Sequence, residues 1–242
     1  MSKGRIQYMK NIVITGLQKL TLLDFPGKVA CTLFTKGCNM RCPFCHNASL
    51  VVRADEQQPY NNEELLAFLQ NRFGLLDGVA ITGGEPTLWP GLYDFIAEVK
   101  KIGYEVKLDT NGTHPEVIKK LVADKMVDYV AMDIKNCREK YGSTIGFDEN
   151  YDLSPIDESI AFLMEGKIDF EFRTTVTKQY HTTEDIIKIG EWIRGNEKYF
   201  LQQFKDSGDI IGEGLSEYNK EEMEALLDEI RHFVPNAQVR GV

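Results

Sequence analysis

The sequence predicts an α/β chain: a partial, laterally open (β/α)6 TIM-like barrel with a short N-terminal β extension. Three observations carry this expectation. From Val29 onward, six β-rich runs are each followed by a helical pattern, which implies parallel strands joined by right-handed crossovers. No low-complexity tract, charge block or Gly/Ser linker interrupts the series, so residues 1–242 read as a single domain. The middle strands alternate an apolar with a polar face, and the apolar faces have helices to pack on, so the polar faces point into a lumen.

The elements follow in order. VACTLF (Val29–Phe34) leads into a cysteine-rich loop (residues 37–49) and then to a helix over Asn61–Phe73. There Asn61 is placed as N-cap with Glu64 three residues on, and Leu65, Leu66 and Leu69 form the buried stripe. GVAIT (Gly78–Thr82) precedes a helix with Leu92, Phe95, Ile96 and Val99 at helical spacing. Tyr104–Thr110 precedes the helix beginning at Pro115, and Asp128–Lys135 precedes the one beginning at Ser154. Asp169–Val176 leads to Thr182–Gly195, and Lys198–Phe204 ends the core barrel, which spans about residues 29–204. A C-terminal helix and strand occupy residues 216–242. The long stretch Asn136–Asp152 reads as a loop for docking a partner.

On the middle strands Lys107 and Asp109 share a face, as do Asp133 and Lys135, and Glu171 and Arg173. Charges inside a barrel are costly unless paired or facing a polar ligand. Lys107 and Glu171 suit salt bridges at the barrel floor. Asp109, Asp133, Lys135 and Arg173 lie toward the C-terminal strand ends, where barrel sites form.

Composition narrows the function. A chain of 242 residues with 43% hydrophobic content can bury one substantial core. A formal net charge of −9 offers no basic surface for nucleic acid or an anionic membrane. No apolar run approaches a membrane span, and MSKGRIQYMKN lacks the apolar centre of a signal peptide. Five cysteines, three of them clustered, suit a reducing cytoplasm.

The cluster is Cys38, Cys42 and Cys45 in KGCNMRCPFCHN. Three thiolates are one short of a closed zinc site or a fully ligated iron–sulfur cluster. Neighbouring His46 would chelate with strain, so the informative reading is a [4Fe–4S] cluster with one iron open. A fourth ligand from elsewhere, or a zinc knuckle, is the bland alternative. Cys31 lies inside a strand as a small core residue, and Cys137 has no partner spacing.

With the strand exit Thr82-Gly83-Gly84-Glu85-Pro86, this C-x3-C-x2-C spacing resembles the radical S-adenosylmethionine superfamily. The resemblance implies that the open iron binds S-adenosylmethionine, with Gly83, Gly84 and Glu85 at its amino group and Phe44 near its adenine. Asp109-Thr110-Asn111-Gly112, Asp133-Ile134-Lys135, the single Arg173 and Cys45-His46-Asn47 resemble the activating enzymes of glycyl radical enzymes. From about Leu17 to about Phe204 the likeness is to the second type of anaerobic ribonucleoside-triphosphate reductase activating protein. Asp109, Asn111, Asp133, Lys135 and Arg173 are thereby expected to grip the cofactor. Asp109, Thr110 and Asp133 are also weighed as oxygens for a small monovalent cation. His181 and Gln203 match the pattern without assignable chemistry; His181 reads as surface structure, and Gln203 as wall packing or a ligand amide contact.

The implied activity is reductive cleavage of S-adenosylmethionine, with a glycyl radical formed on a partner, the anaerobic reductase, and flavodoxin or ferredoxin as electron donor. Two alternatives stand beside it. One is a small superfamily enzyme acting on a free metabolite, such as a heterocycle-forming enzyme of deazapurine biosynthesis. The other is a non-catalytic iron–sulfur or zinc protein, which would need neither the Gly-Gly-Glu loop nor the charged lumen.

Overall fold

The computed structural model describes residues 12–241; the N-terminal run read for a signal peptide lies outside the described residues. Eight strands form one sheet whose spatial order follows chain order. They are β1 (Ile14–Thr21), β2 (Ala30–Thr35), β3 (Gly78–Gly83), β4 (Glu105–Thr110), β5 (Tyr129–Asp133), β6 (Asp169–Val176), β7 (Tyr199–Gln203) and β8 (Gln238–Arg240). β1 runs antiparallel to β2, and every later pair is parallel. Among the described residues β1 and β8 do not pair with each other, so the sheet stays open along that side. The six expected strands are β2 to β7, β1 is the N-terminal extension, and β8 follows the C-terminal helix.

The helices are α1 (Ala48–Val51), α2 (Asn62–Arg72), α3 (Leu92–Ile102), α4 (Pro115–Ala123), α5 (Tyr141–Thr144), α6 (Ser154–Met164), α7 (Thr183–Trp192) and α8 (Lys220–Arg231). Their starts follow local chemistry. Asn61 caps α2 by accepting from the Glu63 amide at 2.8 Å, without the reciprocal bond expected from Glu64. Thr182 with Asp185 and Asn219 with Glu222 form full capping boxes on α7 and α8. Val79, Ile81, Val106, Leu108, Val130, Met132 and Phe172 turn outward from the sheet and are wholly buried against Phe95, Ile96, Val99, Ile118 and Leu163. Each such side chain contributes about 1.5–3 kcal/mol of burial.

The other face curls on itself. Phe25, from the β1–β2 connection, packs its ring 6.2 Å from Tyr129 on β5 and closes the lumen floor with Ala30 and Ala131. Gly78 is required there, since a Cβ would stand 2.8 Å from the Phe25 ring. Glu171 lies fully buried beside this floor. It accepts the Tyr129 hydroxyl at 2.9 Å and both arms of the Arg240 guanidinium at 2.7 and 2.9 Å. Arg240 reaches it from β8 with its guanidinium 3.3 Å over the Phe200 ring.

Residues 136–152, expected as a docking loop, are packed in their first half, while residues 146–150 stay exposed. A 3-10 turn (Arg138–Lys140) runs into α5, and Tyr141, Gly142, Thr144 and Ile145 are buried. The Asn136 amide donates to Thr144 Oγ1 at 2.9 Å and to the Tyr180 carbonyl at 2.8 Å. Ile145 accepts the Arg41 amide at 2.8 Å, so this segment backs the cysteine loop. The physical reason is the apolar content of YGSTI, which gives one short helix a face to bury.

Candidate active site

One cavity of about 360 Å³ collects every side chain the sequence singled out for cofactor or cluster. Cys38, Cys42, Phe44 and Cys45 reach it from the loop after β2. Gly83, Gly84 and Glu85 come from the exit of β3, Asp109 and Asn111 from the end of β4, Asp133 and Lys135 from β5 and its exit, and Arg173 from β6.

The Gly-Gly-Glu exit is fastened onto the cysteine loop. Gly84 donates to the Thr35 carbonyl at 2.9 Å, Glu85 to the Gly37 carbonyl at 2.8 Å, and the Asn47 amide to the Gly83 carbonyl at 3.0 Å. Gly83 sits at φ +115°, and a Cβ on Gly84 would stand 1.8 Å from the Gly37 carbonyl, so the approach excludes any side chain. Glu85 lines the cavity yet spends both oxygens on the protein. Oε1 accepts from the Thr87 amide (3.0 Å), the Thr87 hydroxyl (2.6 Å) and the Thr110 hydroxyl (2.8 Å); Oε2 accepts from the Asn111 amide (2.6 Å). Burial outweighs these bonds and raises its pKa.

The charged residues form a ladder across three strands. Lys107 pairs with Asp109; Arg173 donates to Asp109 at 3.2 Å and to Asp133 at 2.9 Å; Lys135 closes on Asp133 at 2.9 Å. Pairing at register positions Asp133↔Arg173 and Asp109↔Ala131 sets these groups side by side. Burial works to raise the Asp133 carboxyl, but Arg173 and Lys135 prevail and hold it down to about 2. Asp109 is lowered likewise, burial being outweighed by Arg173 and Lys107. Three cations against two carboxylates leave the ladder one positive charge in excess, which suits an anionic ligand group. The oxygens weighed for a small cation are engaged already: both carboxylates are ion-paired, and the Thr110 hydroxyl turns to Glu85.

The thiols are held in a partly dry setting. Burial pushes Cys38 up to about 11 and Cys42 up to about 12, and raises Cys45. Lys135 counters burial at all three. Among the described residues no three His, Cys, Asp or Glu side chains converge on one point as a mononuclear ion requires. The other candidates for a fourth ligand among the described residues are engaged. His46 lines the cavity, but its Nε2 lies 2.9 Å from the Lys205 carbonyl and its ring is stacked 5.3 Å from Phe204. Cys31 is buried in β2, and Cys137 donates to Asp185 at 3.4 Å. Three soft donors around a cavity that also carries a cationic wall fit an iron–sulfur cluster with one open iron and a ligand with a carboxylate.

His181, expected at the surface, is fully buried. Its Nδ1 accepts the Thr177 amide at 3.2 Å, so Nε2 carries the proton and donates to the Lys135 carbonyl at 2.8 Å. Its ring also stands 5.4 Å from Phe44, edge on. Burial lowers its pKa to about 4. Gln203 donates to the Tyr218 carbonyl at 2.7 Å and packs the wall, whereas its neighbour Gln202 faces the cavity. Gln18, Asp24, Thr32, Thr175 and Gln202 line the same space and were missed. Alternation from Arg173 marks Thr175, and alternation against buried Tyr199 and Leu201 marks Gln202. Asp24 sits in a loop and gave no such signal.

The signature of the Radical SAM superfamily matches residues 32–193. A Methanocaldococcus jannaschii protein named as a glycyl-radical enzyme activating enzyme is 32% identical over 95% of this chain and 96% of its own length. Pyruvate formate-lyase-activating enzyme of Staphylococcus aureus is 27% identical over 88% of this chain and 89% of its own. Among solved structures, Streptococcus suis SuiB superposes with a TM-score of 0.65 at 14% identity, over 85% of this chain and 47% of that one. QueE from Escherichia coli superposes with a TM-score of 0.55 at 17% identity, covering the whole of both chains.

Proposed function

The chain belongs to the radical SAM superfamily, and from that premise we propose that it activates an anaerobic ribonucleoside-triphosphate reductase by making a radical on one of its backbone glycines. One observation carries the reading: three cysteines and four members of the charge ladder, Asp109, Asp133, Lys135 and Arg173, share one cavity in a chain alike over 95% of its length to an activating enzyme.

In this reading Cys38, Cys42 and Cys45 are the protein ligands of a [4Fe–4S] cluster. Lys135 and Arg173 take the carboxylate of S-adenosylmethionine, Asp133 takes ribose hydroxyls, the Gly83-Gly84 backbone takes its amino group, and Phe44 packs near the adenine. When bound, cluster and cofactor together supply a carbon-centred radical able to remove a hydrogen atom. Glu85 and Asn111 act by bracing, since their polar groups already hold the loops around the cavity. Asp109 acts through Arg173, holding the guanidinium at its height above the floor. A cation beside Asp109 and Thr110 would have to displace Lys107 or Arg173, and the reading does not require one. The sheet is open between β1 and β8, which gives a polypeptide segment a way in. The chain works as a single domain in the cytoplasm, with flavodoxin or ferredoxin supplying the electron.

The test is electron paramagnetic resonance of the reductase after anaerobic incubation with reduced protein and S-adenosylmethionine. A glycyl signal on the reductase is the expected result. No signal there, together with rapid cofactor cleavage stimulated by a small heterocyclic metabolite, would move the function to a metabolite enzyme.

A further inference from the structure

The cavity wall changes character along the sheet. Asp109, Asp133, Lys135 and Arg173 reach it from β4 to β6 and pair with one another. Beyond Arg173, toward the open side, the lining is neutral. Thr175 stands one inward step nearer the mouth on β6, about 6.6 Å on at the usual strand rise, and Gln202 lies opposite it on β7. Gln202 pairs in register with Arg240 on the edge strand β8, whose guanidinium is spent on Glu171. Gln202 therefore stands one strand in from the opening between β1 and β8.

Four side-chain amides line this cavity, on Gln18, Asn47, Asn111 and Gln202. Three of them donate to the protein. Gln18 gives its Nε2 to the Leu20 carbonyl at 3.2 Å, Asn47 its amide to the Gly83 carbonyl at 3.0 Å, and Asn111 its amide to Asn39 at 2.8 Å. Gln203, next in the chain, is also spent, on the Tyr218 carbonyl. Gln202 differs. Its Oε1 accepts the Thr175 hydroxyl at 3.5 Å, the long limit of such a bond, and among the described residues its Nε2 has no protein partner. One amide thus keeps its donors for whatever enters the cavity.

A backbone glycine gives an enzyme no side chain to grip. Its Cα is placed only through the peptide groups on either side, each with an N–H and a C=O. A glutamine amide carries the complement, N–H donors beside a carbonyl acceptor, and can hold one peptide unit by two bonds. A charged group there would pay desolvation against a neutral backbone. An anionic group of the cofactor has the cationic ladder to meet it and needs no neutral amide. We propose that Gln202 binds the peptide unit next to the reacting glycine, with Thr175 holding the amide in orientation. The inference rests on the activating-enzyme reading and adds the residue that places the glycine. Hydrogen transfer needs the reacting atoms about 3–3.5 Å apart, so a segment free to slide wastes cofactor.

The experiment compares the unaltered chain with Gln202→Leu, which is close in volume and has no hydrogen-bonding group. Each reduced, reconstituted protein is given S-adenosylmethionine and the anaerobic reductase, and the glycyl signal by electron paramagnetic resonance is counted against 5′-deoxyadenosine released. Glycyl radicals per cofactor cleaved are expected to fall about tenfold in Gln202→Leu, the scale of a peptide group left without its partner. Iron content, and cofactor affinity by anaerobic calorimetry, should match the unaltered chain. An unchanged ratio in Gln202→Leu overturns the assignment while leaving the function standing. Iron or cofactor affinity lost in step with the signal makes Gln202 a structural residue and overturns it as well. Absence of any glycyl signal with the unaltered chain overturns the function and the assignment with it.

Discussion

Asn111, just past the end of β4, donates its side-chain amide to Asn39 in the cysteine loop at 2.8 Å, and Asn39 donates in turn to Thr113 at 3.0 Å. The same Asn111 nitrogen lies 3.8 Å from the Cys38 sulfur. The loop that bears the cysteines is therefore held from the exit of β4, two strands away from β2.

Replacing Asn111 by alanine is expected to leave reconstitution possible but to speed iron loss to a chelator. A net hydrogen bond is worth about 1 kcal/mol, or roughly fivefold in rate if it is spent on loop opening. Asn39→Ala should give a similar change, and the double variant little more than either alone, because both break one contact. Iron release in both single variants at the unaltered rate would rule out the brace.

Cys38, Cys42 and Cys45 share the cavity, while Cys137 is buried against Asp185. Alanine at any of the three should abolish iron retention and cofactor cleavage, as measured by iron content and 5′-deoxyadenosine release. Cys137→Ala should keep both. Loss of iron in Cys137→Ala would contradict the ligand assignment.

Asp133 stands between Arg173 and Lys135, so its removal frees two cations to lean toward the ligand or toward each other. Asp133→Asn is expected to retain iron and to weaken S-adenosylmethionine binding about ten- to a hundredfold, the usual loss for a charged hydrogen bond of roughly 1.5–3 kcal/mol. Anaerobic calorimetry reads this directly, and unchanged affinity would remove Asp133 from the binding role.

His181 makes stability depend on pH. Its pKa falls from the ordinary histidine value of 6.5 to about 4 on folding, because burial disfavours the imidazolium. Between those values the unfolded chain binds a proton that the folded chain refuses, so stability drops as pH falls from about 6.5 to about 4 and levels off below. The full drop is on the order of 3 kcal/mol. Denaturant titrations across that window should show the slope, and His181→Gln should flatten it. A slope unaltered in His181→Gln would assign it to other groups.

The alternation of strands and helices was legible because it has its own arithmetic. Val106 and Leu108 face one way and Lys107 and Asp109 the other, and the helices repeat at Leu92, Phe95, Ile96 and Val99. The cavity residues were legible for the same reason: Asp133 and Arg173 sit on the inner face near strand ends. What escaped depends on contacts distant in sequence. Nothing in the run Thr177–His181 shows that the Lys135 carbonyl lacks a donor, so His181 read as surface. Nothing in Leu22–Gly27 shows that Tyr129 waits across the lumen for Phe25, or that Asp24 will face inward. A loop has no period, and its inward and outward residues are sorted only by what it meets.

The fork from Arg240 to Glu171 is also a late event in the making of the sheet. Strand order follows chain order, so each strand leaving the ribosome finds its neighbour already made, and the sheet grows at one edge. Glu171 precedes Arg240 by 69 residues. Until β8 adds to β7, the nascent barrel carries a sunken carboxylate without its counter-charge. A barrel lacking β8 has every cavity residue in place and lacks its electrostatic latch, a defect remote from the chemistry.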